Sequence, residues 1–480
     1  MNVTEPIRHA ARVTPDSAAV IRADGSALSY AFLDHAIDVM GINAQRLGLR
    51  AGDLAGLTVT GPDETLGLIL LLGLARIGVV TADPALLGDR IRLRFHAGAS
   101  GPPGSVLVDP GWLPRGVAEG PKPPIPSDPD AVLRLFESSG TTGQPKFVIV
   151  THMQMTQRVL LRWIAEGGDP ATRIVCVSLS SALGLVSALR TFWRGGTLVL
   201  SNPADAAAAI AGHGVTSLVT SPLSLRTMLD GMPPDAGPFA SLQEVLVGGS
   251  ALPPRLYRLA VERLSPHIVS TLGSTETNSY ASSKVRDLDD RPGAVGYVWP
   301  GVEAEAVDEA GVPLPPGTAG RLRIRSPMNA TGYFDSDPNR AEQFRDGWFY
   351  SSDVGAVWPD RMLTLNGRMN EVINAGGTKV HPQVIEAALL KLPTVLDAAA
   401  FGVPDATGVT RIQAAIVART HIEDAVLSAF CQRMLGPLAP VGILQMKALP
   451  RNESGKILRD RLVDIALELM HTAQDGKRPA

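Results

Sequence analysis

A nine-residue stretch, SSGTTGQPK at 138–146, gathers four hydroxyl side chains, two glycines and one lysine. Glycines let a ligand approach the backbone, hydroxyl and amide N–H groups donate to phosphate oxygens, and Lys146 supplies a positive charge. The spacing differs from that of a Walker A loop, in which a lysine directly follows the second glycine and a helix comes next. The pattern predicts a polyphosphate-binding loop, with an ordinary polar hairpin loop as the alternative.

The elements that must hold this loop are predicted to be strands. One apolar run ends near Phe136 and another begins near Lys146, so the loop should join two strands. Further along, between 173 and 228, short β-branched runs alternate with helical patterns, which predicts βαβ units and parallel sheets. The Gly- and Pro-rich stretch at 101–130 predicts a surface connection.

The second half of the chain has a different sequence pattern from the first. From about 293 to 366, short strands with turn signals predict an antiparallel unit, and a smaller unit follows it. The predicted fold class is α/β, with a large N-terminal domain of βαβ-type sheets plus a small β-barrel-like unit, followed by a small mobile α+β C-terminal domain. The predicted domains are 1–366 and 372–480, with a hinge at 367–371.

Composition narrows the classes of partner. The 480 residues are 45% hydrophobic and carry a net charge of −3 with scattered Lys and Arg, which disfavours nucleic acid or an anionic membrane as the partner. Only Cys176 and Cys431 are present, which fits a reducing compartment. The N-terminus lacks the apolar core of a signal peptide, and the apolar run at 66–80 is too short to span a bilayer and contains Arg76. We therefore expect a cytoplasmic protein with a small-molecule substrate and no membrane span; a homodimer is among the assemblies that the sequence allows.

Five further segments follow the loop in a fixed order: VGGSALP at 247–253, STLGSTET at 270–277, DGWFYSSDVG at 346–355, GRMNEVINAGGTKVHPQVIE at 367–386 and PRNESGKILR at 450–459. Together with the loop they resemble the adenylate-forming superfamily, which includes acyl- and aryl-CoA ligases, peptide-synthetase adenylation domains and firefly luciferase. The resemblance covers nearly all of the chain and is strongest to the CoA ligases. It implies that a carboxylate attacks the α-phosphorus of ATP, giving an acyl-adenylate and pyrophosphate, with ATP, Mg²⁺ and coenzyme A as cofactors.

The resemblance also implies roles for individual residues. Lys456 and Thr142 are the expected catalytic residues, Glu276 is the expected Mg²⁺ ligand and a catalytic residue, and Asp353 with Arg368 should bind the ribose hydroxyls. The expected ATP site as a whole comprises Ser138, Ser139, Gly140, Thr141, Thr142, Gly143, Lys146, Gly248, Gly249, Ser250, Leu272, Gly273, Ser274, Thr275, Asp353, Arg368 and Lys456. The alternatives are a solvated loop carboxylate for Glu276, a turn residue for Asp353, a surface guanidinium for Arg368 and a surface ammonium for Lys456.

The same resemblance separates two kinds of acceptor. Gly376 and Gly377 correspond to the tunnel for the pantetheine arm of CoA, and Ala375 stands where carrier-loading adenylation domains tend to have Arg. The segment SLSSALGL at 178–185 contains no acid that could bind an α-ammonium group, which favours a non-amino carboxylic acid. A CoA ligase is therefore the leading hypothesis, and an enzyme that loads the phosphopantetheine of a carrier protein is the alternative. The expected acyl pocket comprises Ser180, Ser181, Gly184, Ser221, Leu225, Gly249 and Gly273.

Several positions depart from the family pattern. Leu272 replaces the usual adenine-stacking Tyr, Ser180 and Ser181 replace an aromatic–His pair, and Asn370 takes the usual hinge Asp position. A degenerate nucleotide-binding protein would explain such losses, but it should not retain all the charged site residues. A luciferase-like oxygenase would use the same adenylating site.

Overall fold

The computed structural model describes most of the chain. The described residues are 1–58, 64–83, 88–97, 103–117, 120–126, 128–138, 146–166, 172–179, 181–285, 291, 293–334, 342–375, 378–405, 409–451 and 457–474.

A six-stranded sheet carries the predicted phosphate loop at one edge. Its strands run in the order β6-β5-β3-β4-β7-β8, and all neighbours are parallel except the β7–β8 pair, which is an antiparallel hairpin. These strands are β3 (Leu54–Thr58), β4 (Val80–Ala82), β5 (Leu93–Ala97), β6 (Val106–Val108), β7 (Val132–Ser138) and β8 (Lys146–Thr151). The associated helices are α1 (Glu5–Val13), α2 (Tyr30–Arg46), α3 (Glu64–Arg76) and α4 (His152–Glu166).

A second, larger sheet begins as a parallel array. Strands β10, β9, β11, β12 and β13 are parallel neighbours, and β1 with β2 extends the β10 edge. The strands are β1 (Ala18–Ile21), β2 (Ala27–Ser29), β9 (Thr172–Cys176), β10 (Thr197–Val199), β11 (Ser217–Thr220), β12 (Glu244–Val247) and β13 (Ile268–Ser274). The helices between them are α5 (Ala182–Trp193), α6 (Ala206–His213), α7 (Pro222–Gly231) and α8 (Pro254–Arg263). The alternation predicted for 173–228 is confirmed.

The predicted antiparallel unit continues this sheet beyond β13. The order is β13-β14-β15-β20-β19-β17-β16, all antiparallel, with β18 paired to β19. These strands are β14 (Asn278–Lys284), β15 (Ala294–Val298), β16 (Glu303–Val307), β17 (Gly320–Arg325), β18 (Phe344–Arg345), β19 (Trp348–Val357) and β20 (Met362–Arg368).

The last part of the chain has its own sheets and core. Strand β20 ends at Arg368, a single turn of 3-10 helix covers Met369–Glu371, and the next strand starts at Ile373. A two-stranded ribbon and a three-stranded sheet in the order β23-β24-β25 follow. The elements are β21 (Ile373–Ala375), β22 (Thr378–Val380), α9 (Pro382–Leu389), β23 (Val395–Pro404), β24 (Thr410–Ala418), α10 (Asp424–Leu435), β25 (Gly442–Gln445) and α11 (Arg459–Gln474).

The apolar run at 66–80 forms a core helix. Every residue of α3 from Leu66 to Arg76 is buried, as expected for a helix that is apolar all round. The Arg76 guanidinium is fully buried and pairs with Asp34 and Asp38, at 2.6 and 2.8 Å. Within the described ranges, no helix is long and apolar enough to cross a membrane.

One prediction about the fold is wrong in part. The stretch 101–130 contains the edge strand β6 and a turn of 3-10 helix at Pro110–Trp112, in addition to irregular connections. The strand is only three residues long and lies among glycines and prolines, so its hydrophobic signal is too short to stand out.

Candidate active site

The ends of the predicted phosphate loop lie on the β7–β8 hairpin. Ser138 and Lys146 are register partners at the loop end of this hairpin, which confirms the predicted strands on both sides of the loop. The loop positions themselves, Ser139, Gly140, Thr141, Thr142 and Gly143, lie outside the described residues.

Glu276 lies at the tight turn between β13 and β14 and is only 6% exposed. Its Oε1 accepts hydrogen bonds from Ser138 Oγ at 2.9 Å and Tyr333 OH at 3.0 Å, so residues of both sheets meet at this carboxylate. Arg158 fixes the same turn, because its Nη2 donates to the Thr275 carbonyl at 3.0 Å. Burial lowers the pKa of Arg158 to about 10, and the nearby Glu276 charge opposes that shift. A freely solvated carboxylate is therefore excluded for Glu276.

Lys146 reaches toward the same place from β8. Its Nζ donates to Gln343 Oε1 at 3.0 Å and lies 5.0 Å from the centre of the Tyr333 ring. Sequence reasoning missed Tyr333 and Gln343. Gln343 lies 197 positions from Lys146, and Tyr333 lies 57 positions from Glu276, so no local spacing could have indicated these contacts.

The predicted ribose ligands face each other on neighbouring strands. Asp353 on β19 and Arg368 on β20 are antiparallel register partners, and Arg368 Nε lies 3.0 Å from Asp353 Oδ1. The other carboxylate oxygen accepts from Ser351 Oγ at 2.8 Å, and Ser351 Oγ also accepts from the Asp353 amide at 3.0 Å. Burial and the Asp353 charge raise the pKa of the nearby Tyr280. Asp353 and Arg368 thus belong to regular strands, and the turn alternative for Asp353 is wrong.

The predicted adenine segments lie at the carboxyl ends of β12 and β13, where ligands commonly bind in parallel sheets. Gly249 has a φ of +90°, a conformation that favours glycine. A Cβ at Gly248 would lie 2.9 Å from Thr271 Cγ2, and one at Gly273 would lie 2.2 Å from the Asn278 carbonyl oxygen. Backbone packing therefore requires glycine at position 273, whereas the close contacts at Gly248 are with side-chain methyl groups.

Three other residues predicted for this site, Leu272, Ser274 and Ser250, are half-buried. Leu272 is half-buried and packs against the core of the antiparallel unit. The Ser274 hydroxyl accepts from the Thr277 amide at 3.3 Å and so supports the turn that carries Glu276. Ser250 follows Gly249 and is half-buried.

The described residues of the predicted acyl pocket serve local structure. Ser181 caps α5, accepting from the Gly184 amide at 3.1 Å and donating to the Ser178 carbonyl at 2.7 Å. Ser221 caps α7 in the same way through the Ser224 amide at 3.1 Å. Such capping is what Ser does at the start of a helix.

Two further residues predicted for the acyl pocket, Gly184 and Leu225, are closely packed in this structure. A Cβ at Gly184 would lie 2.1 Å from the Ser178 carbonyl oxygen, so packing at the start of α5 accounts for this glycine. Leu225, on α7, is fully buried in a hydrophobic core cluster. The helical period of α7 turns this side chain inward, and its assignment to the acyl pocket stays a prediction.

The remaining predictions fall on residues that the structure leaves undescribed. Ser180, Gly376, Gly377 and Lys456 lie outside the described ranges, and only the backbone of Asn370 is described. Their roles stay predictions.

The residues around Glu276 fit Mg²⁺ held together with a nucleotide. In the described part of the chain no three His, Cys, Asp or Glu side chains cluster as a metal site. Mg²⁺ is commonly held by one or two carboxylates together with substrate phosphates, so one buried carboxylate beside the predicted phosphate loop would suffice. The hydrogen bonds from Ser138 and Tyr333 both go to Glu276 Oε1, so among the contacts of the described residues Oε2 is the oxygen that would face the ion.

Comparisons with known proteins identify similar proteins over nearly the whole chain. The family model described as AMP-binding enzyme matches residues 98–334, and the one for the AMP-binding enzyme C-terminal domain matches residues 384–456. The sulfoacetate–CoA ligase of Cupriavidus necator is 30% identical over 94% of this chain and 95% of its own length. A feruloyl-CoA synthase of an Amycolatopsis species is 28% identical over 95% of this chain and 96% of its own length.

Two solved structures have the same fold. ATP-bound MatB from Rhodopseudomonas palustris superposes with a TM-score of 0.83 at 22% identity, covering 97% of this chain and 99% of that one. The o-succinylbenzoate CoA synthetase MenE from Bacillus subtilis, in complex with ATP and magnesium ion, gives 0.82 at 22% identity, covering 95% of this chain and 98% of that one. The fold, the two family models and a full-length relative at 30% identity agree: the chain belongs to the AMP-binding, adenylate-forming enzyme family.

Proposed function

We propose that this protein is an AMP-forming acid–thiol ligase. It activates a non-amino carboxylic acid with ATP to an acyl-adenylate, releases pyrophosphate, and transfers the acyl group to the thiol of CoA with release of AMP. The observation that carries this proposal is the convergence of Lys146 and Glu276, from different sheets, on one pair of side chains, Tyr333 and Gln343.

The charges at the site suit the first half-reaction. A carboxylate and a triphosphate repel each other, and the departing pyrophosphate accumulates negative charge, so catalysis needs positioned cations and N–H donors rather than a protein nucleophile. Lys146 supplies one cation at the loop, and Glu276 would hold Mg²⁺, which when bound neutralises phosphate charge. Asp353 would accept hydrogen bonds from the ribose hydroxyls and Arg368 would donate to them.

Lys456 is proposed as the second cation, supplied by the C-terminal domain. A lysine between the carboxylate and the α-phosphate would stabilise the charge shared in the transition state. Because it comes from another domain, closure of that domain would complete the site, and a second orientation would remove Lys456 and admit the thiol past Gly376 and Gly377. The hinge for this motion is proposed at 367–371, where β20 ends.

The proposed substrate is a carboxylic acid without an α-ammonium group. The segment at 178–185 contains no acid, and the hydroxyl of Ser181 is engaged in capping a helix. The names of the full-length relatives, sulfoacetate–CoA ligase and feruloyl-CoA synthase, support the same class of acid. At this level of identity the particular acid is not transferred to this chain.

A carrier protein is the alternative acceptor. The fatty acid–[acyl-carrier-protein] ligase ScoC of Streptomyces coeruleorubidus is 30% identical over 71% of this chain and 69% of its own length. A carrier-loading enzyme would share every ATP-site residue with a CoA ligase, so the ATP site does not distinguish the two functions. Ala375, in place of the Arg that carrier-loading domains tend to have, favours CoA. A cytoplasmic location, which the two free buried cysteines favour, and a homodimer also stay predictions.

A panel of carboxylic acids with ATP and Mg²⁺ tests the proposal. Pyrophosphate release is measured with no acceptor, with CoA, and with a phosphopantetheinylated carrier protein. We expect acid-dependent pyrophosphate release and a CoA thioester from at least one non-amino acid. Thioester on the carrier alone would favour the alternative, and the absence of acid-dependent release across the panel would contradict both.

A further inference from the structure

Tyr333 and Gln343 lie between the two charged groups of the site. The Tyr333 hydroxyl oxygen is 3.0 Å from Glu276 Oε1 and also 3.0 Å from Gln343 Oε1. Gln343 Oε1 in turn accepts a hydrogen bond from Lys146 Nζ at 3.0 Å. A continuous chain of hydrogen-bonding atoms therefore joins Glu276 to Lys146.

Backbone hydrogen bonds fix both ends of this series of hydrogen-bonded side chains. Tyr333 forms an antiparallel bridge with Val148 on β8, and Phe334 N donates to the Phe147 carbonyl at 2.8 Å. The turn of Glu276 is held to the same segment, because Ala330 N donates to the Glu276 carbonyl at 2.7 Å. Tyr350 N donates to the Gln343 carbonyl at 2.8 Å, which anchors Gln343 to β19.

The protons available to these atoms restrict how they can pair. Lys146 is a donor only, so the Gln343 amide must turn its oxygen toward it, and that oxygen accepts. The Tyr333 hydroxyl has a single proton for two acceptors at equal distance. The ionised carboxylate is the stronger acceptor, so the proton goes to Glu276 while that carboxylate keeps its full charge.

We propose that Tyr333 and Gln343 are positioning residues that couple the metal carboxylate to the phosphate-loop lysine. When Glu276 shares its charge with a cation, its hold on the Tyr333 proton weakens and the hydroxyl turns to Gln343. The Gln343 oxygen, now accepting from Tyr333, holds Lys146 less strongly, so the ammonium moves toward a phosphate more easily. The cation at Glu276 and the ammonium then act together. The inference rests on the proposed function, because both ligands are parts of Mg²⁺–ATP.

The test is equilibrium binding of ATP by titration calorimetry, without an acid substrate so that no turnover occurs. Dissociation constants are measured in Mg²⁺ and in EDTA. The ratio of the Kd in EDTA to the Kd in Mg²⁺ gives the coupling between metal and nucleotide. Tyr333→Phe keeps the ring but removes the proton, so it should weaken binding in Mg²⁺. Gln343→Leu releases Lys146 from its hydrogen bond, so it should strengthen binding in EDTA. Both variants should lower the ratio by about fivefold or more.

The control is Tyr297→Phe, which removes a hydroxyl from a tyrosine that is 40% exposed on β15 and should leave the ratio unchanged. Thermal unfolding of each variant checks its fold. General damage to the site would weaken binding equally in both buffers and preserve the ratio. If Tyr333→Phe does not fold, Gln343→Leu still decides, because its expected effect in EDTA is a gain.

Ratios within about twofold of wild type in the folded variants would overturn the coupling. That outcome is separable from failure of the proposed function. A wild-type protein that releases pyrophosphate but whose variants keep the ratio contradicts the coupling alone. A wild-type protein that does not bind ATP in Mg²⁺ contradicts both.

Discussion

Replacing Glu64 by Gln should make the stability of this protein less sensitive to alkaline pH. Glu64 is the first residue of α3, half-buried, and has no ion-pair or hydrogen-bond partner within the described part of the chain. Burial raises its pKa from 4.5 to about 7. Burial, and to a smaller extent the charge of Glu64, raise the pKa of Cys176 to about 12. The Glu64 carboxyl therefore lies near the end of β9, where Cys176 is the last residue.

The size of the effect follows from that pKa. A rise from 4.5 to about 7 corresponds to at most about 3 kcal/mol, less whatever solvent screening remains at a half-buried side chain. The helix macrodipole at the start of α3 favours the carboxylate, but such an effect is worth about 0.3–1 kcal/mol, so desolvation dominates. Because the folded protein binds this proton more tightly, the stabilisation is complete below about pH 4.5 and is lost as pH rises through 7.

Urea unfolding of wild type and Glu64→Gln between pH 5 and pH 9 measures this directly. From pH 5 to pH 9, we expect the free energy of unfolding of the variant to rise by about 2–3 kcal/mol relative to that of wild type, since the variant side chain stays neutral. A free-energy difference that is the same at pH 5 and pH 9 would refute the reasoning. It would mean that Glu64 is hydrated in the folded protein.

Three other substitutions test separate parts of the site. Asp353→Asn should raise KM for ATP about tenfold with little change in kcat, because a carboxylate that binds ribose contributes to ground and transition states alike; an unchanged KM in steady-state kinetics would remove Asp353 from the nucleotide site. Ser181→Ala should lower the free energy of unfolding by about 1 kcal/mol through loss of the α5 cap, whereas Ser181→Thr should retain most of it; equal stability of all three proteins in urea would contradict the cap. Lys456→Ala should reduce the rate of adenylation by at least ~10²-fold, yet leave thioester formation from a supplied acyl-adenylate and CoA near the wild-type rate; a comparable loss in both assays would indicate a role in folding or domain docking.

The parts of the site predicted from sequence are those with local signals. The runs around Ser138 and Lys146 carry the strand pattern on both sides of a turn-rich loop, so the hairpin could be predicted. The roles of Asp353 and Arg368 were predicted from the resemblance alone. Their register across β19 and β20 places them opposite each other, which explains why their spacing in the sequence matters.

The missed parts depend on contacts between distant segments. Tyr333 and Gln343 gain their importance from Glu276 and Lys146, which the fold brings to them across long separations. The capping role of Ser181 had a local signal, since a serine directly before an apolar helix pattern is typical of an N-cap. The resemblance drew attention to a pocket there instead. The burial of Leu225 could likewise have been inferred from the helical period of α7.

The central claim is that the acid's own oxygen attacks the α-phosphorus of ATP. The most direct test is an accepted acid labelled with ¹⁸O in both carboxylate oxygens, converted to its CoA thioester with ATP, with the nucleotide product examined by mass spectrometry. Attack at the α-phosphorus forms the acyl-adenylate, and the thiol then displaces AMP, so one ¹⁸O per thioester should appear in AMP and none in pyrophosphate. Formation of ADP with the label in inorganic phosphate would mean transfer of the γ-phosphoryl group and would contradict the account.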